Sequence, residues 1–168
     1  QTGNGRTGKW FVGEHWGVEP DLVTTAKGLG GGYPVGAVIA NEKIAATVEP
    51  GDQATTFGGG PMAAAAVAAT YRIIEDEGLI DSVVDLSADV IERLGEHVGR
   101  GIEEVRGLGY LLGVRCEKPA KEIQASLLER GILVGTSGDP HTIRLLPPLT
   151  VSPDEWEIFL FAMDEIFA

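Results

Sequence analysis

The chain has 168 residues, 43% hydrophobic and 23% charged, which is the profile of a folded protein and not of a disordered one. Thirteen Lys and Arg against 25 Asp and Glu give a net charge of −12, so a basic nucleic-acid footprint is excluded. No apolar run reaches the ~20 residues of a bilayer-spanning helix, and a single cysteine, Cys116, excludes a disulfide framework.

The lone cysteine and the lack of a signal-peptide pattern point to a reducing, cytoplasmic setting. The length suits one domain or two small lobes. Glycine, 24 residues, is at about double its average usage. The chain begins at Gln1 and not at Met, and reads as a piece of something longer.

The glycines crowd into the first 60 residues, in Gly3, Gly5, Gly8, the run Gly28-Leu29-Gly30-Gly31-Gly32 and Gly58-Gly59-Gly60. This part reads as ordered loops around short strands. Gly3-Asn4-Gly5-Arg6-Thr7-Gly8 matches a dinucleotide fingerprint literally. That motif needs a strand before it and a helix after it, to bring pyrophosphate to a helix N-terminus. Gln1-Thr2 and Lys9-Trp10-Phe11-Val12-Gly13 supply neither, so a plain glycine-rich loop is preferred.

Lys27 precedes the long glycine run, where a main chain stripped of side chains lets a planar ligand approach. A desolvated lysine there becomes an amine nucleophile for carbonyl chemistry. Composition alone favours the plainer reading, a solvated loop lysine. Pro34–Ala40 is an apolar run bounded by turn residues and reads as a buried strand.

Thr55-Thr56-Phe57-Gly58-Gly59-Gly60-Pro61 leads into a helix, and its hydroxyls and free amides suit phosphate or simply a cap. Pro61 opens that helix and Gly78 follows its end. Its alanines suggest close packing against another element or subunit. Val83, Val84, Leu86, Val90, Ile91, Leu94 and Val98 recur near a 3.6-residue period, which predicts an amphipathic helix over 81–98.

A strand is predicted at 110–115, a helix at 121–130, and short strands at 132–134 and 142–146. Ser152, Pro153 and Glu155 form the clearest helix start, with a cap, a first-position proline and a capping box. Alternating helices and strands after residue 79 argue for a compact α/β lobe, with the boundary near Gly78-Leu79. Arg144 is a lone cation in an apolar strand, which calls for a structural carboxylate or a substrate carboxylate as partner. Cys116, also in an apolar strand, reads as an inert buried thiol. His15, His97 and His141 lack ligand spacing, so no metal site is expected.

QTGNGRTGKWF at 1–11, PDLVTTAKGLGGGYPVGAVIA at 20–40, TTFGGGPMAAAA at 55–66, VRGLGYLLGV at 105–114 and IRLLPPLTV at 143–151 span nearly the whole chain. In this order they resemble the C-terminal part of class III, pyridoxal-phosphate-dependent aminotransferases, most closely the acetylornithine/ornithine type. The resemblance implies an α/β fold, the C-terminal part of a fold type I transferase: a remnant of the large domain at 1–78 and a small C-terminal α/β domain at 79–168. It overturns the plain reading of Lys27, which it implies forms the internal aldimine and then moves a proton between the substrate α-carbon and the cofactor C4′.

By the same resemblance Gln1 hydrogen-bonds the cofactor 3′-oxygen, and Thr56 binds the cofactor phosphate of a neighbouring subunit. Arg144 holds a substrate carboxylate. A homodimer and a role in arginine biosynthesis are implied, with amino-acid and 2-oxo-acid substrates and no nucleic-acid or membrane partner. The family's Asp that pairs with the pyridinium nitrogen precedes Gln1, so the isolated chain is expected to be inactive. Gly60 stands where the family commonly has Asn. Two alternatives stay open: another class III transaminase, acting on 4-aminobutyrate or an ω-amino acid, or a non-catalytic module that self-associates.

Overall fold

The computed structural model describes residues 1–167. Its residues form two compact units, Gln1–Gly5 with Lys9–Leu79, and Arg6–Gly8 with the chain from Ile80 onward.

In the first unit a 3-10 segment at Val12–Trp16 follows the amino-terminal residues. Strand β1 (Leu22–Thr25) pairs antiparallel with β2 (Ala37–Ala40), in register Thr25↔Ala37 and Leu22↔Ala40. Between them a 3-10 turn, Lys27–Gly30, closes on Gly31 in the left-handed conformation. A four-residue helix α1 (Glu42–Ala45) follows, with Asn41 Oδ1 accepting from the Ile44 N–H at 2.9 Å.

Helix α2 (Pro61–Asp76) starts at Gly60, with proline in its first turn as expected. Its small residues let the 3-10 turn lie close. A Cβ added at Gly30 would come within 4.0 Å of Ala66, and one at Gly31 within 2.8 Å of the Thr70 hydroxyl oxygen. Only Ala63 and Ile74 of α2 are buried, and most of the alanine face is exposed.

The second unit holds the main core. Helix α3 (Leu79–Gly95) leads to a sheet in the order β3-β4-β6-β5, antiparallel throughout. The strands are β3 (Ile102–Leu108), β4 (Leu111–Cys116), β5 (Gly135–Thr136) and β6 (Thr142–Leu145). Helix α4 (Ala120–Glu129) lies between β4 and β5, and α5 (Pro153–Phe167) ends the described chain.

One sheet face is apolar: Leu112, Val114 and Cys116 of β4 and Ile143 and Leu145 of β6 join Val83, Val90, Leu94, Ile123, Leu127, Phe159 and Met163 of the helices in one core. This is the period-two pattern of a half-buried strand combined with the 3.6 period of the helices. The Ser152 cap forms as expected, the Glu155 N–H donating to Ser152 Oγ at 3.2 Å and the Ser152 N–H to Glu155 Oε2 at 2.8 Å.

Several expectations differ from what the fold shows. Strand β3 was not foreseen: its Ile-Glu-Glu-Val-Arg-Gly-Leu sequence is largely solvent-facing at a sheet edge, so it lacks an apolar run. The strand expected at 132–134 lies at Gly135–Thr136 instead. The helix predicted to reach 98 stops at Gly95. Strand β2 forms, but it is not buried: Val38 is 65% exposed and Ile39 is 47% exposed. A strand apolar on both faces fits cover on both faces, and no described element of its unit supplies it.

Candidate functional site

Lys27 sits where β1 ends. Its backbone has φ +58°, one of two non-glycine residues with positive φ among those described. The left-handed conformation costs a side-chain-bearing residue about 1–2 kcal/mol, and such strain persists where the surroundings over-determine it, commonly at functional sites. The local hydrogen bonds supply that determination. The Leu29 N–H donates to Ala26 O at 3.2 Å and the Gly31 N–H to Gly28 O at 3.1 Å, while Leu29 and Gly30 are buried. The Lys27 side chain is exposed, and a Cβ placed at Gly28 or Gly32 would meet open space.

The second such residue is Asn4, φ +56°. Its amide donates from Nδ2 to Thr25 Oγ1 at 3.3 Å, and its Oδ1 accepts from the Tyr71 hydroxyl at 3.1 Å. Tyr71, on α2, stacks on Trp10 with ring centroids 4.7 Å apart and planes 12° from parallel. Asn4 therefore ties the amino-terminal segment to the end of β1, two residues before Lys27. Neither Asn4 nor Tyr71 was singled out from sequence. Asn4 occupies a variable place in a glycine motif, and Tyr71 lies 67 residues away along the chain.

Gln1 and Thr56 lie in the same unit as Lys27, and both are exposed. The loop before α2 is shaped by Thr55, whose Oγ1 accepts from the Gly58 N–H at 3.0 Å, and Thr56 beside it is exposed. No side chain caps the first N–H groups of α2, because the N-cap residue is Gly60. A glycine at this place offers no side-chain capping bond.

Arg144 belongs to the second unit, on β6. The reading of it as a cation in an apolar strand is corrected: Ile143 and Leu145 are buried in the core, while Arg144 between them is exposed. It has no ion-pair partner among the described residues. It pairs in register with Gly113 on one side and Gly135 on the other, and the Arg106 side chain, one strand further in the same row, lies over Gly113. A Cβ at Gly135 would lie 3.6 Å from Arg144 Nε, which shows the side chain lying over that glycine.

The loop leading into β6 is organised by Asp139. Its carboxylate accepts from Thr142 Oγ1 at 2.6 Å, from the His141 N–H at 3.1 Å and from Arg115 Nη1 at 2.7 Å. The Thr142 hydroxyl and the His141 amide, with the Arg115 charge, hold this carboxyl below its ordinary value. Arg6 lies against the hairpin between β3 and β4: its backbone carbonyl accepts from the Tyr110 N–H at 2.9 Å, and its guanidinium donates to Tyr110 O at 3.4 Å and to Pro147 O. Gly109 in that turn has φ +53°, and a Cβ there would stand 2.6 Å from Arg6 O, so only glycine fits.

Among the described residues no group of three or more His, Cys, Asp or Glu is placed to hold a metal, and no helix is long and apolar enough to cross a membrane. Cys116 is buried, and burial pushes its thiol up to about 11, which makes it a poor nucleophile.

The mixed α/β fold is the one found in pyridoxal-phosphate-dependent aminotransferases of solved structure. The chain belongs to the class III aminotransferases, whose family model matches residues 1–167. It is 46% identical over 156 residues to acetylornithine aminotransferase of Bacillus subtilis, covering 92% of this chain and 40% of that protein. The crystal structure of acetylornithine aminotransferase from Elizabethkingia anophelis superposes with a TM-score of 0.92 at 30% identity, covering 99% of this chain and 43% of that one. An S-selective transaminase from Bacillus megaterium gives 0.91 at 29% identity, covering 99% and 41%. The chain thus spans about two fifths of the length of these relatives and aligns with their C-terminal portion.

Class III aminotransferases depend on pyridoxal 5′-phosphate. The residues present fit that group chemically. The exposed Lys27 amine suits an aldehyde, the open Gly28 and Gly32 leave room for a planar ring, and the Thr56 hydroxyl suits a phosphate.

Proposed function

We propose that this chain forms the lysine-bearing part of an aminotransferase that passes an amino group between N-acetylornithine, or a closely related ω-amine, and 2-oxoglutarate. The observation that carries the reading is Lys27 itself: an exposed amine on a left-handed backbone, directly after β1 and ahead of open glycines. When bound, pyridoxal 5′-phosphate supplies the electron sink for a carbanion at the carbon that exchanges its amino group.

The chain's own residues do the rest. Lys27 Nζ would hold the cofactor aldehyde and, as a free amine, would act as the base that takes the proton from the substrate carbon and as the acid that gives it back. Gln1 would offer its amide to the cofactor's 3′-oxygen, and Thr56 would offer its hydroxyl to the phosphate held by a second copy, in a homodimeric assembly. Arg144, exposed and unpaired, offers its planar fork to a carboxylate, a bidentate contact that fixes the orientation of an amino- or oxo-acid.

A second reading is favoured by one observation. The S-selective transaminase matches with nearly the same TM-score as the acetylornithine enzyme, which supports another amine donor as the alternative. Amine-donor profiling of the whole enzyme with 2-oxoglutarate separates the two. The proposal expects N-acetylornithine to have the highest kcat/KM, and a dimeric mass by light scattering. A tenfold preference for 4-aminobutyrate or a simple amine would replace it with the second reading.

A further inference from the structure

We infer that Asn4 is a positioning residue for Lys27: its amide, oriented by Tyr71, fixes the end of β1 and so holds the lysine backbone in its left-handed conformation. The inference rests on the proposed role of Lys27 and deepens it.

A lysine gains nothing intrinsic from φ +58°. The conformation is tolerable only if the residues on both sides of it are held. On the downstream side the 3-10 turn does so, through the buried Leu29 and Gly30 and the bonds Leu29 N–H to Ala26 O and Gly31 N–H to Gly28 O. Upstream, β1 is a four-residue strand in a two-stranded ribbon, and the last residue of its pairing is Thr25↔Ala37. A strand that short frays readily at its end. The side-chain bond from Asn4 Nδ2 to Thr25 Oγ1, at 3.3 Å, adds an anchor at that end.

Asparagine suits the task for two reasons. It tolerates the left-handed region better than other side-chain-bearing residues, and its amide both donates and accepts. The acceptor side is engaged by the Tyr71 hydroxyl at 3.1 Å, which fixes which way the amide faces. Tyr71 is in turn held by its stack on Trp10. Burial raises the Tyr71 phenol above its ordinary value, so the hydroxyl keeps its proton and remains a donor. The chain of contacts runs Trp10, Tyr71, Asn4, Thr25, and then two residues along the backbone to Lys27. Every member lies in the same compact unit.

The test uses the whole enzyme, freed of cofactor and then mixed with pyridoxal 5′-phosphate, with the growth of the cofactor's protein-bound absorbance band followed in time. Lys27→Ala is the control for the underlying reading. Asn4→Gly keeps the left-handed backbone accessible while removing the amide, and Tyr71→Phe keeps the Trp10 stack while removing the hydroxyl. Both are expected to slow formation of the band roughly 5- to 20-fold and to lower kcat more than they raise KM, as misplacement of a reacting group does.

Thr25→Ser should keep the wild-type rate and Thr25→Val should lose it, a pair that stays informative if either of the other variants folds poorly. Wild-type rates in Asn4→Gly and Thr25→Val, with the band still absent in Lys27→Ala, would overturn the inference and leave the role of Lys27 intact. A band that persists in Lys27→Ala would instead overturn the reading on which the inference depends.

Discussion

Lys27, Asn4 and Arg144 show what a single residue type does and does not announce. Lys27 stood out beside its glycine run, but its left-handed backbone did not, because conformation depends on partners far along the chain. Arg144 was legible as unusual, yet its placement needed the alternation Thr142-Ile143-Arg144-Leu145 to be read as a half-buried strand and not as an apolar one. Tyr110 carries a prediction at the same scale. It is fully buried against Trp156, with ring centroids 5.5 Å apart, and neither its hydroxyl nor the Trp156 indole N–H has a hydrogen-bond partner among the described residues. Burial raises the phenol, while Trp156 and Arg6 act the other way. A buried polar group without a partner costs about 1–3 kcal/mol, so Tyr110→Phe is expected to leave stability unchanged or raise it by about 1 kcal/mol. Thermal unfolding measures this; a loss above about 2 kcal/mol would show that the hydroxyl is engaged.

Among the elements, those with purely local signals were the most legible. Helix α5 begins at the capping box that Ser152 and Glu155 spell out, and α2 begins at its proline. Elements defined by their neighbours were less so. Strand β3 exists because β4 offers an edge to pair with, and β2 has the sequence of a covered strand although it stays exposed in this unit. The loop from β5 to β6 depends on Asp139, which gathers Thr142, His141 and Arg115 around one carboxylate and so sets the start of the strand that carries Arg144. Its carboxyl is held below the ordinary value, first by the Thr142 hydroxyl. A depressed carboxylate stabilises the fold above its unfolded pKa, and that stability is lost as pH falls through the folded value. The melting temperature of the wild type should therefore drop as pH is lowered below about 4, and Asp139→Asn should lower stability at neutral pH while flattening that acid dependence. Parallel pH profiles for the two proteins would contradict this role.

Across the molecule, the segments of family resemblance covered nearly the whole chain, which made the fold class readable before any contact was known. What they left unreadable is physical. The Asn4–Thr25–Tyr71 connection joins three segments that no local pattern relates, and the exposed apolar residues Val38, Ile39, Phe57 and Met62 acquire meaning only with what lies against them. The central claim for the whole assembly is that Lys27, and no other of the chain's lysines, carries the cofactor. Its most direct test is borohydride reduction of the enzyme with bound pyridoxal 5′-phosphate, followed by proteolysis and mass analysis of the labelled peptide. The account predicts a single phosphopyridoxyl label, on the peptide containing Lys27. A label on Lys9, Lys43 or a lysine of the second unit, or no label in an enzyme that still binds the cofactor, would contradict it.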